Sequence, residues 1–389
     1  MGRLVERTTR QAGHCPSPVV PRLIYRHIRF VPARVDSIVN LPRISVVMPV
    51  YNGGSYLAAA VESILQQTYR DFELIALDDG STDGSSTLLD EYAQRDPRIR
   101  VIHQTNRGLV PTLNHGLELA TGEYIARMDA DDISAPTRFE KQVAYLDSHP
   151  DVGVVGTWLT VIDKLGTPLY VMKMPVTNAS IRWSLLKNNC IGHSTAMMRQ
   201  SLFRTIGGYD KAALHAEDYD LWLRAAQEVH LANLAETLLM YRQWPMSISS
   251  ANNEIQNYTA DRLRFEAARP FFVQPPLRSI VELFTKCFGR MNPEYPASED
   301  AMVDLADYVH SLFNAFSGSV PASRIETRYI RDDTARMMLM LARASVSRWP
   351  VTFVRLIIRS FLISPAIIPK LAWRRADRTM QKRSLGPTR

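Results

Sequence analysis

Three carboxylates, Asp129, Asp131 and Asp132, stand almost side by side in YIARMDADDISAP (124–136), directly after a run that favours a buried strand. Like charges this close repel one another and are rarely placed at the end of a buried strand without a cation to join them. Hard carboxylate oxygens suit Mg2+ or Mn2+, which keep waters or phosphates in their shell. A plainer reading is available, in which one aspartate caps the helix that starts near Pro136 and the others are solvated. A second acidic group lies in LDDGSTDGS (77–85), where Asp78 and Asp79 close another strand-like run. Gly80 permits a turn with positive φ, and Ser81, Thr82 and Asp83 can cap the helix that follows. Capping needs only one of these residues, so the second strand-end carboxylate is better explained by a ligand such as the N–H edge of a nucleobase. A third group, Glu217, Asp218 and Asp220, sits in AEDYDLWLRAA (216–226) at the first turn of an apolar helix. Such acids either stabilise the helix dipole or supply a general base. Asp220 is expected to face structure.

The elements that must position these groups alternate. Strand-like runs occupy Ile44–Val50, Phe72–Leu77, Ile99–His103 and Tyr124–Met128, with Val152–Gly156 as a further strand. Helical patterns fall between them at Ser55–Gln67, Ser85–Arg95, Leu109–Ala120 and Pro136–His149. This alternation predicts βαβ units, an α/β fold with a mostly parallel sheet, and a site at the carboxyl ends of its strands. Beyond about Asn253 the β signal disappears, and Ser298–Phe316 and Ile330–Ser347 have helical spacing. The expected division is an Arg- and Pro-rich, partly ordered extension over 1–42, a catalytic domain over 43–255 and a helical C-terminal region over 256–389.

The segments SVVMPVYNGGSYLAAAVESILQQTY, DDGSTDGS, ARMDADD and AEDYDLWLRAA together resemble family-2 inverting glycosyltransferases of the GT-A fold, over Ile44 to Ser250. The resemblance implies transfer of a sugar from a nucleotide diphosphate-sugar, with a UDP-sugar expected, to an acceptor hydroxyl in cell-surface polysaccharide or glycolipid synthesis. It assigns Pro49, Tyr51 and Asn52 to the first nucleotide-site loop and Asp79, or its neighbour Asp78, to the base. Asp129 and Asp131 match the Asp-x-Asp pair that touches ribose and metal, so the cation is expected to be Mn2+ or Mg2+ serving a departing diphosphate. Asp218 corresponds to the catalytic base, with Glu217 as the fallback. NNCIGHSTAMMRQSLFRTIGGYD (188–210) resembles the acceptor-side segment, in which His193 is either a pocket residue or a structural one. Gly207 and Gly208 are expected at a turn. One departure stands out. YRQWPMSIS carries Trp244 where relatives have a histidine that helps at the metal and diphosphate. Tryptophan cannot ligate a metal, so either Arg242, Arg107 or a serine such as Ser247 supports the diphosphate, or metal dependence is weaker than usual.

Composition narrows the field further. Hydrophobic residues at 46% and charged residues at 22% are those of a globular protein with a sizeable core. The three cysteines, Cys15, Cys190 and Cys287, have no metal-binding spacing and fit a reducing cytoplasm. No apolar run follows Arg3, Glu6 and Arg7, so no signal peptide is expected. The net charge of +7 is uneven: Arg331–Arg389 holds 13 Lys/Arg and 3 Asp, hence +10, leaving −3 on the first 330 residues. A nucleic-acid partner is therefore not expected. The tail VTFVRLIIRSFLISPAIIPKLAWRRADRTMQKR (351–383) has no charge-free run long enough to span a bilayer. It suits either peripheral contact with an anionic membrane, on the inner face of the plasma membrane, or packing on the catalytic domain. Rival readings are a non-catalytic nucleotide-sugar-binding protein of the same fold and a sugar-nucleotide pyrophosphorylase. The second is disfavoured because YNGGSYLAAA (51–60) has no basic residue for a triphosphate. A glycan or a lipid-linked glycan is the expected acceptor.

Overall fold

The computed structural model describes residues 41–243, 253–289 and 293–367. The expected N-terminal extension up to Asn40, Trp244, Ser247 and the basic sequence from 368 onward lie outside the described residues. From Leu41 onward the chain is one compact unit.

The apolar runs named above become strands β1 (Ile44–Val50), β2 (Phe72–Asp78), β3 (Ile99–His103) and β4 (Tyr124–Arg127). Helices α1 (Leu57–Leu65), α2 (Ser85–Arg95) and α3 (Leu109–Leu119) connect them in sequence. Every residue of β1 is buried, as befits a central parallel strand covered on both faces. β5 (Ile133–Ser134) and α4 (Arg138–Ser148) follow, then β6 (Val152–Ile162), which runs well past the expected Gly156. The extension exists because β6 pairs along its length with β9 (His230–Arg242), a partner distant in sequence. β7 (Pro168–Met172), α5 (Asn178–Leu185), β8 (Met197–Arg199), α6 (Leu202–Ile206) and α7 (Glu217–Glu228) complete this part.

The nine strands form one sheet in the order β3-β2-β1-β4-β8-β6-β9-β5, with β7 added on β6. β3-β2-β1-β4 and β6-β9 are parallel, while β8 joins β4 and β6 antiparallel. The fold is therefore a mixed, mostly parallel GT-A-like sheet flanked by helices. Chain order reverses between β1 and β4. At such a switch point the connections leave on opposite faces and open a crevice at the strand ends.

One apolar layer packs α1, α2 and α4 on the first face of the sheet through Leu57, Ile64, Leu89 and Phe139. The other gathers Leu113, Leu185, Leu202 and Trp222 from α3, α5, α6 and α7. The C-terminal helices are α8 (Asn253–Ala268), α9 (Arg278–Phe288), α10 (Glu299–Ser319), α11 (Arg324–Ser345) and α12 (Pro350–Ile363). They build a third core that takes in Trp183 of α5. Trp183 donates to Asp333 at 2.8 Å, Lys187 pairs with the same carboxylate, and Glu326 accepts from the Ala179 N–H at 2.9 Å. α5 is thus the clip between the sheet and the C-terminal helices.

Candidate functional site

The residues singled out by type and spacing lie on the strand ends that flank the switch point. At the end of β1, Pro49 is buried, Tyr51 is exposed and Asn52 takes a positive φ of 52°. That backbone lets Asn52 face the β2 loop: its N–H donates to Ser81 Oγ at 3.0 Å, and its Oδ1 accepts from the Thr82 N–H at 2.8 Å. Gly80 makes this turn with φ +78°, where a Cβ would lie 2.9 Å from the Asn106 backbone nitrogen.

Asp78 and Asp79 are both buried and serve different loops. Asp78 accepts from the Ser81 N–H at 3.0 Å and Ser86 Oγ at 2.6 Å, with His103 Nδ1 at 2.9 Å. Burial pushes its pKa up, but these hydrogen bonds outweigh it and hold the carboxyl below its ordinary value. Asp79 accepts from Gln104 Nε2 at 2.7 Å and from the N–H groups of Arg107 and Gly108, each at 2.9 Å. It fixes the Gln104–Gly108 segment that follows β3. Its Oδ2 takes one of these bonds, which leaves a lone pair for a further donor. Arg107 is exposed there, its guanidinium held by Gln104 and beside His115 Nδ1 at 3.1 Å.

The third strand end is the most charged. One oxygen from each of Asp129, Asp131 and Asp132 lies within 4.8 Å of the others. Asp129 and Asp131 are half-buried, and Asp132 is fully buried. Burial, then repulsion from Asp129 and Asp131, holds the Asp132 carboxyl well above its ordinary value. Its Oδ1 accepts from the Arg242 N–H at 2.9 Å, while Oδ2 has no hydrogen-bond partner among the described residues. Three hard oxygen donors, one of them buried and unsatisfied, fit a divalent cation such as Mn2+ or Mg2+.

Part of the counter-charge belongs to the chain itself. Arg127, buried on β4, pairs with Asp129 and donates to Ser194 Oγ at 2.8 Å. Ser194 in turn donates to Asp129 Oδ2 at 2.5 Å. Arg138, also buried, donates to the Ser194 carbonyl at 2.5 Å and the Arg127 carbonyl at 3.1 Å. Burial lowers its pKa to about 9. Arg242 stacks over Tyr56 at 4.3 Å, and its side chain donates to the backbone carbonyls of Asp131, Asp163 and Lys164. Its contacts therefore brace the acidic loop.

Glu217 and Asp218 open α7. Asp218 is half-buried and accepts from Asn189 Nδ2 at 2.7 Å and the Tyr219 N–H at 2.7 Å. Burial raises its pKa, opposed by these hydrogen bonds and by Arg127. Glu217 is buried, and desolvation followed by Asp218 pushes it up to about 7. Arg127 and Asp129 both act on these two carboxyls, so the strand end and the helix start share one electrostatic environment. Asp220 instead pairs with Arg224, which also ties down the Ile206 and Gly208 carbonyls. His193 sits on the short 3-10 turn that carries Ser194. Its Nε2 lies 2.8 Å from the Tyr209 hydroxyl, and burial followed by Arg127 holds the imidazole well below its ordinary pKa. A neutral His193 hydrogen-bonded to Tyr209 is the result. Gly207 takes a positive φ of 74°, whereas Gly208 is needed for space, because an added Cβ would collide with Asn114 Oδ1.

Sequence reasoning placed Asp132 among the three strand-end carboxylates but missed Arg127, Ser194 and Asn189 as members of the site. Arg127 carried a signal, as a cation inside a run otherwise suited to a buried strand.

A mostly parallel sheet with acidic groups gathered at its switch point is the GT-A-like class of α/β protein. Residues 45–207 match Glycosyl transferase family 2. The chain is 42% identical to EpsE of Bacillus subtilis (strain 168), a glycosyltransferase by designation, over 207 residues, 52% of this chain and 73% of that protein. It is 36% identical to the O-antigen biosynthesis glycosyltransferase WbnJ of Escherichia coli over 206 residues, 52% of this chain and 80% of that one. Among solved structures, S. aureus TarS 1-349 in complex with UDP-GlcNAc superposes with a TM-score of 0.51 at 15% identity, over 84% of this chain and 92% of TarS 1-349. This protein belongs to glycosyl transferase family 2 and is a glycosyltransferase.

Proposed function

We propose that the chain transfers a sugar, with inversion, from a nucleotide diphosphate-sugar to an acceptor hydroxyl of a cell-surface glycan or lipid-linked glycan. A UDP-sugar is the donor we favour, in line with the ligand of the TarS structure. O-antigen synthesis by the relative WbnJ supports the glycan class of the acceptor.

In this reading Asp79 and the Gln104–Gly108 segment border the base, and Pro49, Tyr51 and Asn52 line the nucleotide loop. Asp129, Asp131 and Asp132 would hold the divalent cation. When bound, that ion neutralises charge developing on the departing diphosphate. Arg127 pairs with Asp129 and orients it. Asp218 accepts the proton of the acceptor hydroxyl as the oxygen attacks the anomeric carbon from the face opposite the diphosphate. Its half-exposed carboxylate, oriented by Asn189, is better placed to meet an acceptor than the buried Glu217. Arg107 is the exposed guanidinium available to the diphosphate, since Arg242 is committed to the backbone of the acidic loop. His193 shapes the acceptor side through Tyr209. The catalytic part is assigned to 43–255 and the helical region to 256–389; the two are tied by α5.

The observation that carries the proposal is the cluster of Asp129, Asp131 and Asp132, whose carboxylate oxygens lie within 4.8 Å of one another at the strand end. A departing diphosphate needs a cation, and such a cluster can hold one. A thermal-shift screen of nucleotide-sugars with and without Mn2+ tests it. Selective, Mn2+-dependent stabilisation by a UDP-sugar is expected, and a flat response to every nucleotide-sugar contradicts the proposal.

A further inference from the structure

Helix α12 is apolar on the face where a surface helix is ordinarily polar. Its inner side buries Thr352, Leu356, Ser360 and Ile363 against the C-terminal core. On the opposite side Val351, Val354, Ile358, Phe361 and Leu362 are 50–74% exposed. Their spacing of three and four residues makes one continuous stripe, bordered by the exposed Arg355. Contiguous exposed apolar surface of this kind marks a contact site.

Charge selects the partner. From Thr334 to Arg389 there are 12 Lys/Arg and one Asp, hence +11, which leaves −4 of the total +7 for residues 1–333. Arg343, Arg348 and Arg355 are the exposed cations on and just before α12, and no acidic residue lies between Thr334 and Ala376. A second copy seated two-fold on the stripe would bring two such basic ends together and be repelled. An anionic bilayer surface would attract them. None of the helices among the described residues is long and apolar enough to cross a membrane, so the helix would lie along the surface.

We propose that α12 docks the chain on an anionic lipid surface, its apolar stripe entering the headgroup boundary and the exposed Arg348 and Arg355 meeting lipid phosphates. The proposal stands apart from the sugar-transfer reading, because no residue of α12 belongs to the acidic site.

Co-sedimentation of the full chain with vesicles tests it, using phosphatidylcholine alone and phosphatidylcholine mixed with phosphatidylglycerol. The wild type should bind the mixed vesicles, bind the neutral ones far less, and be released by salt. The double variant Ile358→Ser/Leu362→Ser removes two exposed apolar side chains and should weaken binding by about tenfold or more. An unchanged unfolding midpoint establishes that this variant is folded. Equal or absent wild-type binding to the two vesicle types overturns the proposal without recourse to any variant. So does a wild-type dimer that the folded double variant splits while vesicle binding is unaltered, which would assign the stripe to a second copy.

Discussion

Arg127 is the residue on which the charge of the site turns. Three carboxylates at one strand end would repel one another, and this buried guanidinium, joined to Asp129 directly and through Ser194, offsets part of that repulsion. The two acids at the start of α7 divide by exposure, and that division predicts different mutant behaviour. Asp218→Asn keeps the shape of the side chain but cannot take a proton, so transfer should fall by about 10²–10⁴ while nucleotide binding stays near wild type. Steady-state rates set beside calorimetric donor affinities check this split; near-normal turnover would remove Asp218 from the base role. Glu217→Gln should retain activity and act on stability instead. The folded-state pKa of Glu217, about 7, lies above the ordinary 4.5, so its contribution is fully present below 4.5 and lost as pH rises through about 7. The never-charged glutamine should therefore make the protein more stable than its parent near pH 8, on the order of 1–3 kcal/mol, with the gap closing toward pH 5. Urea unfolding of both proteins at the two pH values measures it.

At the scale of elements, α5 joins the sheet to the C-terminal helices. Trp183 is fully buried there, edge-on to Phe316 at 5.2 Å, with its indole N–H on Asp333. Trp183→Ala should destabilise the fold by about 3–5 kcal/mol, read as a lowered urea midpoint. Nucleotide affinity at temperatures where the variant remains folded should be unchanged. A midpoint within experimental error of wild type would mean that the clip carries little of the stability. This element also shows what the sequence could convey. β1 and β3 were legible to the residue because each is a short strand-like run bounded by turn residues, β1 at the centre of the sheet and β3 at its edge. The Trp183–Asp333 contact joins positions 150 residues apart, and no local period records such a pairing. The same holds for β6, whose second half depends on β9.

Over the whole molecule, the GT-A-like sheet, the acidic strand ends and the helical C-terminal region could all be anticipated from alternation and motif order. The sequence alone did not indicate that Asp132 is buried, because its partner is the Arg242 N–H from a strand 110 residues later. It also did not indicate which oxygens of Asp78 and Asp79 are engaged, since loops brought together by the sheet decide that. The central claim is that these strand ends form one cation-assisted nucleotide-diphosphate site. Its most direct test is calorimetric titration of UDP into the wild type and Asp131→Ala, with and without Mn2+. The wild type should bind UDP measurably in Mn2+ and weakly without it. Asp131→Ala should lose about tenfold or more of the Mn2+-dependent affinity while keeping its fold. Equal affinity in both proteins, with and without Mn2+, or no binding by the wild type at all, would contradict the claim.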